Sequence, residues 1–159
     1  MLGEGAMSLL RFVAAGACAV LLAAGCSDPP KRDYSRQMKR EVAGALHGFD
    51  SLNRPDAARF RQVAADLRST ARSIDQIRPP ADVRKLHERT AADLRAVADV
   101  FIRLAPMAEQ LRDEPASAQM IRRRYAGPID ELTRLGHDLD AIDAEYQQRG
   151  YDIGLTRPA

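Results

Sequence analysis

From residue 33 onward, apolar side chains return every three or four positions and almost never alternate, which is the spacing of amphipathic helices rather than strands. Met38, Val42, Ala45, Phe49 and Leu52 form one stripe and predict a helix over 33–52. Asn53-Arg54-Pro55-Asp56 interrupts it, and Phe60, Val63, Leu67, Ala71, Ile74 and Ile77 resume the period in a second helix ending near Arg78. Pro79-Pro80 stops that helix, because proline lacks an amide donor and disfavours a helical residue before it. The third helix is expected to take Asp82 as its N-cap, with a seam through Val83, Leu86, Thr90, Leu94, Val97, Phe101, Leu104, Ala108 and Leu111. The fourth, from about Asp113-Glu114-Pro115 to Arg149, aligns Ile121, Tyr125, Pro128, Leu132, Leu135, Leu139, Ile142 and Tyr146, and Gly150 suits its C-cap. Short connections make such helices antiparallel neighbours. The pattern therefore predicts an all-α, up-down-up-down four-helix bundle over 33–150, with 151–159 as a C-terminal tail.

Helix lengths add a second expectation. The last two helices are predicted to be longer than the first two by about 12 residues, or about 18 Å at the helical rise. Pro106 and Gly127-Pro128 fall near the start of that overhang, and a proline inside a helix favours a kink. Residues 106–127 are thus expected to form a bent helical hairpin at the tip, folded over the bundle or projecting from it.

The N-terminus carries a different pattern. Phe12 to Ala24 is an uncharged, largely apolar run of 13 residues after Arg11, too short for a bilayer span of about 20 residues but suited to a signal peptide. It ends Leu22-Ala23-Ala24-Gly25-Cys26, followed by Ser27-Asp28-Pro29-Pro30. These residues resemble the lipobox of bacterial lipoproteins, with Ala23 where the usual Leu stands three before the Cys. The resemblance implies removal of residues 1–25, lipidation of Cys26 as the new N-terminus, and a short linker over 26–32. Ser27 after the Cys resembles outer-membrane sorting in Gram-negative bacteria, which would face the protein to the periplasm. More than one acyl chain on Cys26 anchors stably where a single chain does not. Of the two cysteines, Cys18 lies in the segment removed and Cys26 takes the lipid, so cysteine catalysis and a disulfide are excluded on this reading.

Composition narrows the remaining chemistry. Net charge is +2 over 159 residues, too little to argue for nucleic acid. Lys31, Arg32, Arg36, Lys39 and Arg40 are expected near the bilayer, where anionic headgroups attract basic side chains. Residues 128–159 hold seven acidic and three basic side chains, which favours pairing of the fourth helix with its neighbours.

Three histidines invite a metal or haem reading. Helical phase puts His47 and His137 on polar faces and His87 on the shoulder of its apolar seam. The chain is superficially similar to the secreted four-helix cytochromes of the b562 type, which implies a periplasmic haem- or metal-binding bundle as the alternative function, with Met38 in the place of the Met ligand. No His of the last helix is placed inward, and no inward Glu-x-x-His motif occurs, so the residues themselves call for no cofactor. Distance from the tip puts His87 level with Asp143, a candidate structural hydrogen bond or pH-sensitive dyad. No serine is positioned as a nucleophile beside them, so the sequence favours a binding or scaffolding protein over an enzyme. Its expected contact surface is the distal tip: Met107, Leu111, Arg112, Met120, Ile121, Arg122, Arg123, Arg124 and Tyr125, an interface-like mixture of Met, Arg and an aromatic directed at an envelope protein partner.

Overall fold

The chain's computed structural model describes residues 29–50, 56–113 and 118–155. They form α1 (Pro29–Asp50), α2 (Ala57–Asp75), a 3-10 turn (Ala81–Val83), α3 (Arg84–Asp113) and α4 (Ala118–Gln148), with no strand among the described residues. Each helix buries the face its period marks, and the four pack as an all-α bundle.

The helix ends follow local chemistry, in places differently from expectation. α1 begins at Pro29, four residues before the predicted start, because prolines fit a first turn whose amides have no helical partners. The expected linker is correspondingly shorter. Asp56 caps α2, its side chain accepting from the Arg59 amide at 2.8 Å. α2 ends at Asp75, and residues 76–80 run to the 3-10 turn without α-helix. Asp82 is not an N-cap: Pro80 holds that position and Asp82 lies inside the turn, its carboxylate accepting from the Tyr151 hydroxyl at 2.9 Å. At the end of α4, Gly150 takes φ +79°, a left-handed conformation that suits glycine. The Gly150 amide donates to the Gln147 carbonyl at 2.9 Å and the Tyr151 amide to the Tyr146 carbonyl at 2.9 Å, the paired bonds of a Schellman cap.

That cap turns the tail back into the bundle. Tyr151 and Ile153 are buried, Ser35 Oγ of α1 accepts from the Asp152 amide at 3.3 Å, and Lys39 pairs with the Asp152 carboxylate. On the other side, Asp143 Oδ1 of α4 accepts from the Leu155 amide at 3.4 Å. Residues 151–155 therefore strap α1 to α4 and belong to the core, not to a tail outside it. At the same end, Lys31 Nζ donates to the Arg149 carbonyl at 3.1 Å and the Arg149 guanidinium to the Asp82 carbonyl. The start of α1, the α2–α3 connection and the end of α4 thus meet at one base.

Ion pairs set the register higher up. Arg68 meets Asp99 at 2.6 Å, Arg61 meets Glu109 at 2.8 Å, and Arg95 pairs with Asp75. α2 therefore accompanies α3 as far as Glu109, and on this side the overhang predicted from about residue 103 is shortened. The reason is the connection: a longer path over 76–80, outside the α-helix, lets α2 sit further toward the tip than a tight Pro79-Pro80 turn would. Pro106 and Pro128 both lie inside continuous helix. Residues 114–117 of the predicted hairpin lie outside the described residues. The acidic fourth helix pairs as its charge suggests, through Arg89–Glu145 at 3.2 Å and Arg103–Glu131 at 2.5 Å, each exposed pair contributing about 0–1 kcal/mol.

Candidate functional site

Near the base, four helical side chains form a buried polar chain inside the apolar core. The His87 ring of α3 hydrogen-bonds the Tyr34 hydroxyl of α1 through Nδ1 at 3.1 Å, and that hydroxyl meets the Tyr146 hydroxyl of α4 at 2.9 Å. Thr90 lies beside Tyr146, its Oγ1 donating to the Leu86 carbonyl at 2.8 Å, and the His87 ring also bonds the Ile74 backbone. Tyr151 from the tail packs edge-on against Tyr34, with ring centroids 5.6 Å apart. The chain joins all four helices, and among the described residues no buried side-chain nitrogen or oxygen is left without a partner. Sequence reasoning missed Tyr34, although it lies one turn before Met38 and continues the same stripe.

Burial sets the protonation states. It pushes both tyrosine hydroxyls above their usual range; at Tyr34 the neighbouring Tyr146 hydroxyl raises it further, whereas at Tyr146 the hydroxyls of Tyr34 and Thr90 oppose the rise. It also lowers His87, against the opposing charges of Asp75 and Glu88 and the bond to Ile74. A neutral ring can accept from Tyr34 at Nδ1, with the Tyr34 oxygen accepting from Tyr146, so each hydroxyl proton has an acceptor. Because the folded state disfavours the charged ring, the unfolded chain binds this proton more readily. The neutral-ring contribution is thus present above the ordinary histidine value of 6.5 and is lost as pH falls below it. Urea midpoints for the native protein and His87→Gln, measured from pH 8 to pH 5, are expected to converge or cross as the native form loses ground below about pH 6.5. Parallel pH curves would remove the coupling.

The described bonds of His87 and Asp143, the expected pair, run to other groups. Both are buried on the core shoulder, at 4% and 2% exposure. His87 engages Tyr34 and Ile74, however, while Asp143 accepts from Gln147 Nε2 at 2.8 Å and from the Leu155 amide. Equal distance from the tip places two residues at one level but leaves their rotation open, and Tyr34 from α1 reaches the imidazole. Asp143 instead holds the tail.

The tip is also rearranged. Tyr125 is only 8% exposed and belongs to the core cluster, so it leaves the expected contact surface. Its position on the α4 seam explains this, since the aromatic ring turns inward with the other seam residues. Arg123 and Arg124 are exposed, Arg124 bonding Gln110 at 3.2 Å, and Met120 is 46% exposed. Met107 packs against the core. The side chains of Leu111, Arg112, Ile121 and Arg122 lie outside the described residues, as does Cys26. Among the other histidines, His137 is exposed and the His47 side chain lies outside the description. Met38, the loose haem-ligand match, is fully buried in the core.

A cationic surface lies at the base. Lys31, Arg32, Ser35, Arg36 and Lys39 of α1, with Asp152 of the tail, line an open recess of about 320 Å³. Lys31 also lies 4.9 Å above the Tyr151 ring, and Arg36 pairs with Asp33 at 3.4 Å. Among the described residues no group of three or more His, Cys, Asp or Glu side chains is arranged to hold a metal ion, and no helix is long and apolar enough to cross a membrane. What fold and site define is a four-helix bundle locked at its base by a buried tyrosine–histidine chain. No protein-family model, curated protein or solved structure matches the chain.

Proposed function

We propose that this chain is a lipid-anchored protein of the bacterial cell envelope that works as a binding or scaffolding module rather than as an enzyme. The observation that carries the reading is the apolar run Phe12–Ala24 ending in Ala24-Gly25-Cys26, with the helix Pro29–Asp50 three residues further along the chain. A chain reaches at most about 3.6 Å per residue, so an anchor on Cys26 holds the base of the bundle within about 10 Å of the headgroups. In a Gram-negative envelope, Ser27 favours the outer membrane and the periplasmic side. The distal end, with Arg112, Arg122, Arg123 and Arg124, then points away from the bilayer toward an envelope protein partner.

The test is the intact mass and membrane fractionation of the natively produced protein beside Cys26→Ala. The expected result is an acylated N-terminal Cys26, with the native form in the membrane fraction and the variant's mature body no longer acylated. An unacylated native N-terminus at any other residue would refute the anchor and the base-to-tip orientation together.

A further inference from the structure

We propose that the cationic flank of α1 and the strapped tail form a docking surface for anionic phospholipid headgroups, so that the base of the bundle sits on the bilayer in a fixed attitude. This rests on the anchor reading above, and it adds to that reading the lipid chemistry and the surface that recognises it. On a helical wheel, Lys31, Ser35, Lys39, Arg32, Arg36 and Arg40 follow one another over half of the helix circumference, with Asp33 beside Arg40 at its edge and Glu41 further round. The tail lies on the cationic flank, where it closes one wall of the recess.

The local charge is asymmetric. Asp152 and Asp33 each engage a basic side chain of this group, through Lys39 and Arg36, and both pairs are solvent-exposed. Four basic side chains, Lys31, Arg32, Arg36 and Lys39, against the one carboxylate of Asp152 give a positive balance around an opening large enough for a phosphate group. Lys31 is held upright by the Arg149 carbonyl and the Tyr151 ring, and Ser35 adds a hydroxyl at the same wall. Arg78, Arg84, Lys85 and Arg149 are exposed at the same end, against Asp75, Asp82 and Glu88. From Lys31 to Lys39 the flank rises about 12 Å, which is comparable with the screening length of about 8 Å at physiological salt. An anchor three residues below Pro29 therefore keeps the lower part of this flank within electrostatic reach of the headgroups. The far-end arginines, at the opposite pole of α3 and α4, are out of that range.

The natively produced protein, reconstituted into phosphatidylcholine vesicles with and without phosphatidylglycerol, provides the test. A photoreactive analogue of each lipid, reactive at the headgroup, is mapped by peptide mass. Labelling of residues 31–40 by the phosphatidylglycerol analogue is expected to exceed that by the phosphatidylcholine analogue about tenfold at about 0.15 M salt. It is expected to fall about tenfold in Arg32→Glu/Arg36→Glu and to stay unchanged in Arg123→Glu/Arg124→Glu. Circular dichroism confirms that the exposed substitutions leave the helices intact. Equal labelling by the two lipids, or equal loss in the two double variants, overturns the proposal. Displacement by millimolar inorganic phosphate also overturns it, because that marks a site for a free anion instead. Intact mass of the same preparation keeps the two readings apart: an acylated protein without lipid preference retains the anchor and loses the docking surface, whereas an unacylated protein with the preference does the reverse.

Discussion

Tyr151→Ala is expected to lower the stability of the protein by about 3–5 kcal/mol, the range for removing a buried aromatic side chain. Tyr151 is 1% exposed although it lies beyond the last helix, packed edge-on against Tyr34 and Tyr146. Its hydroxyl donates to Asp82 in the α2–α3 connection, and Lys31 rests over its ring. The substitution therefore opens a cavity where α1, α4 and the connection meet, and it frees the strap that carries Ile153. Urea denaturation of the native and variant proteins measures the effect. A loss below about 1 kcal/mol would mean that the tail adds nothing to the core beyond its exposed contacts. Tyr151→Phe separates the two contributions: it keeps the ring and removes only the bond to Asp82, so about 1 kcal/mol is expected.

Tyr34→Phe is expected to cost about 1–3 kcal/mol while preserving the shape of the core. Its hydroxyl is shared between His87 and Tyr146, so removing it leaves a buried imidazole nitrogen and a buried phenol each short of a partner. The same change made together with Tyr146→Phe removes one of the stranded groups, and the double variant is expected to cost less than the sum of the two single ones. Strict additivity in that cycle would show that the hydroxyls act independently. The same variant alters the setting of His87, because its ring loses the donor that favours the neutral form. In Tyr34→Phe, the His87 titration followed by imidazole proton chemical shifts should move away from its native position.

The faces of the helices were legible in advance because burial imposes a local rule. Val63, Leu67 and Ile74 on α2, and Leu94, Val97 and Phe101 on α3, recur at the helical period, and each is buried. Gly150 was legible as a stop because a left-handed residue after a helix has a strong chemical preference. Asp82 misled for the same kind of reason: aspartate is a good cap in general, but here Pro80 sits at the cap and the carboxylate serves a tyrosine 69 residues away in sequence. The tip was judged from helix lengths alone, and those lengths say nothing about how far α2 slides along α3.

The base chain lies beyond local reading altogether. Tyr34 is 53 residues from His87 and 112 from Tyr146, and nothing in the intervening pattern records that the three side chains share one level and one rotation. Asp143 shows the converse, since its level was inferred correctly enough to bury it but its partners are Gln147 and the returning tail.

By itself the sequence determined four amphipathic helices and their antiparallel order, since each follows from the chemistry of residues a few positions apart. The tertiary structure decided the strap of residues 151–155 and the polar chain through Tyr34. Those depend on how rigid helices slide and rotate against one another, and that is settled only when every buried hydrogen-bonding group has found its partner at once.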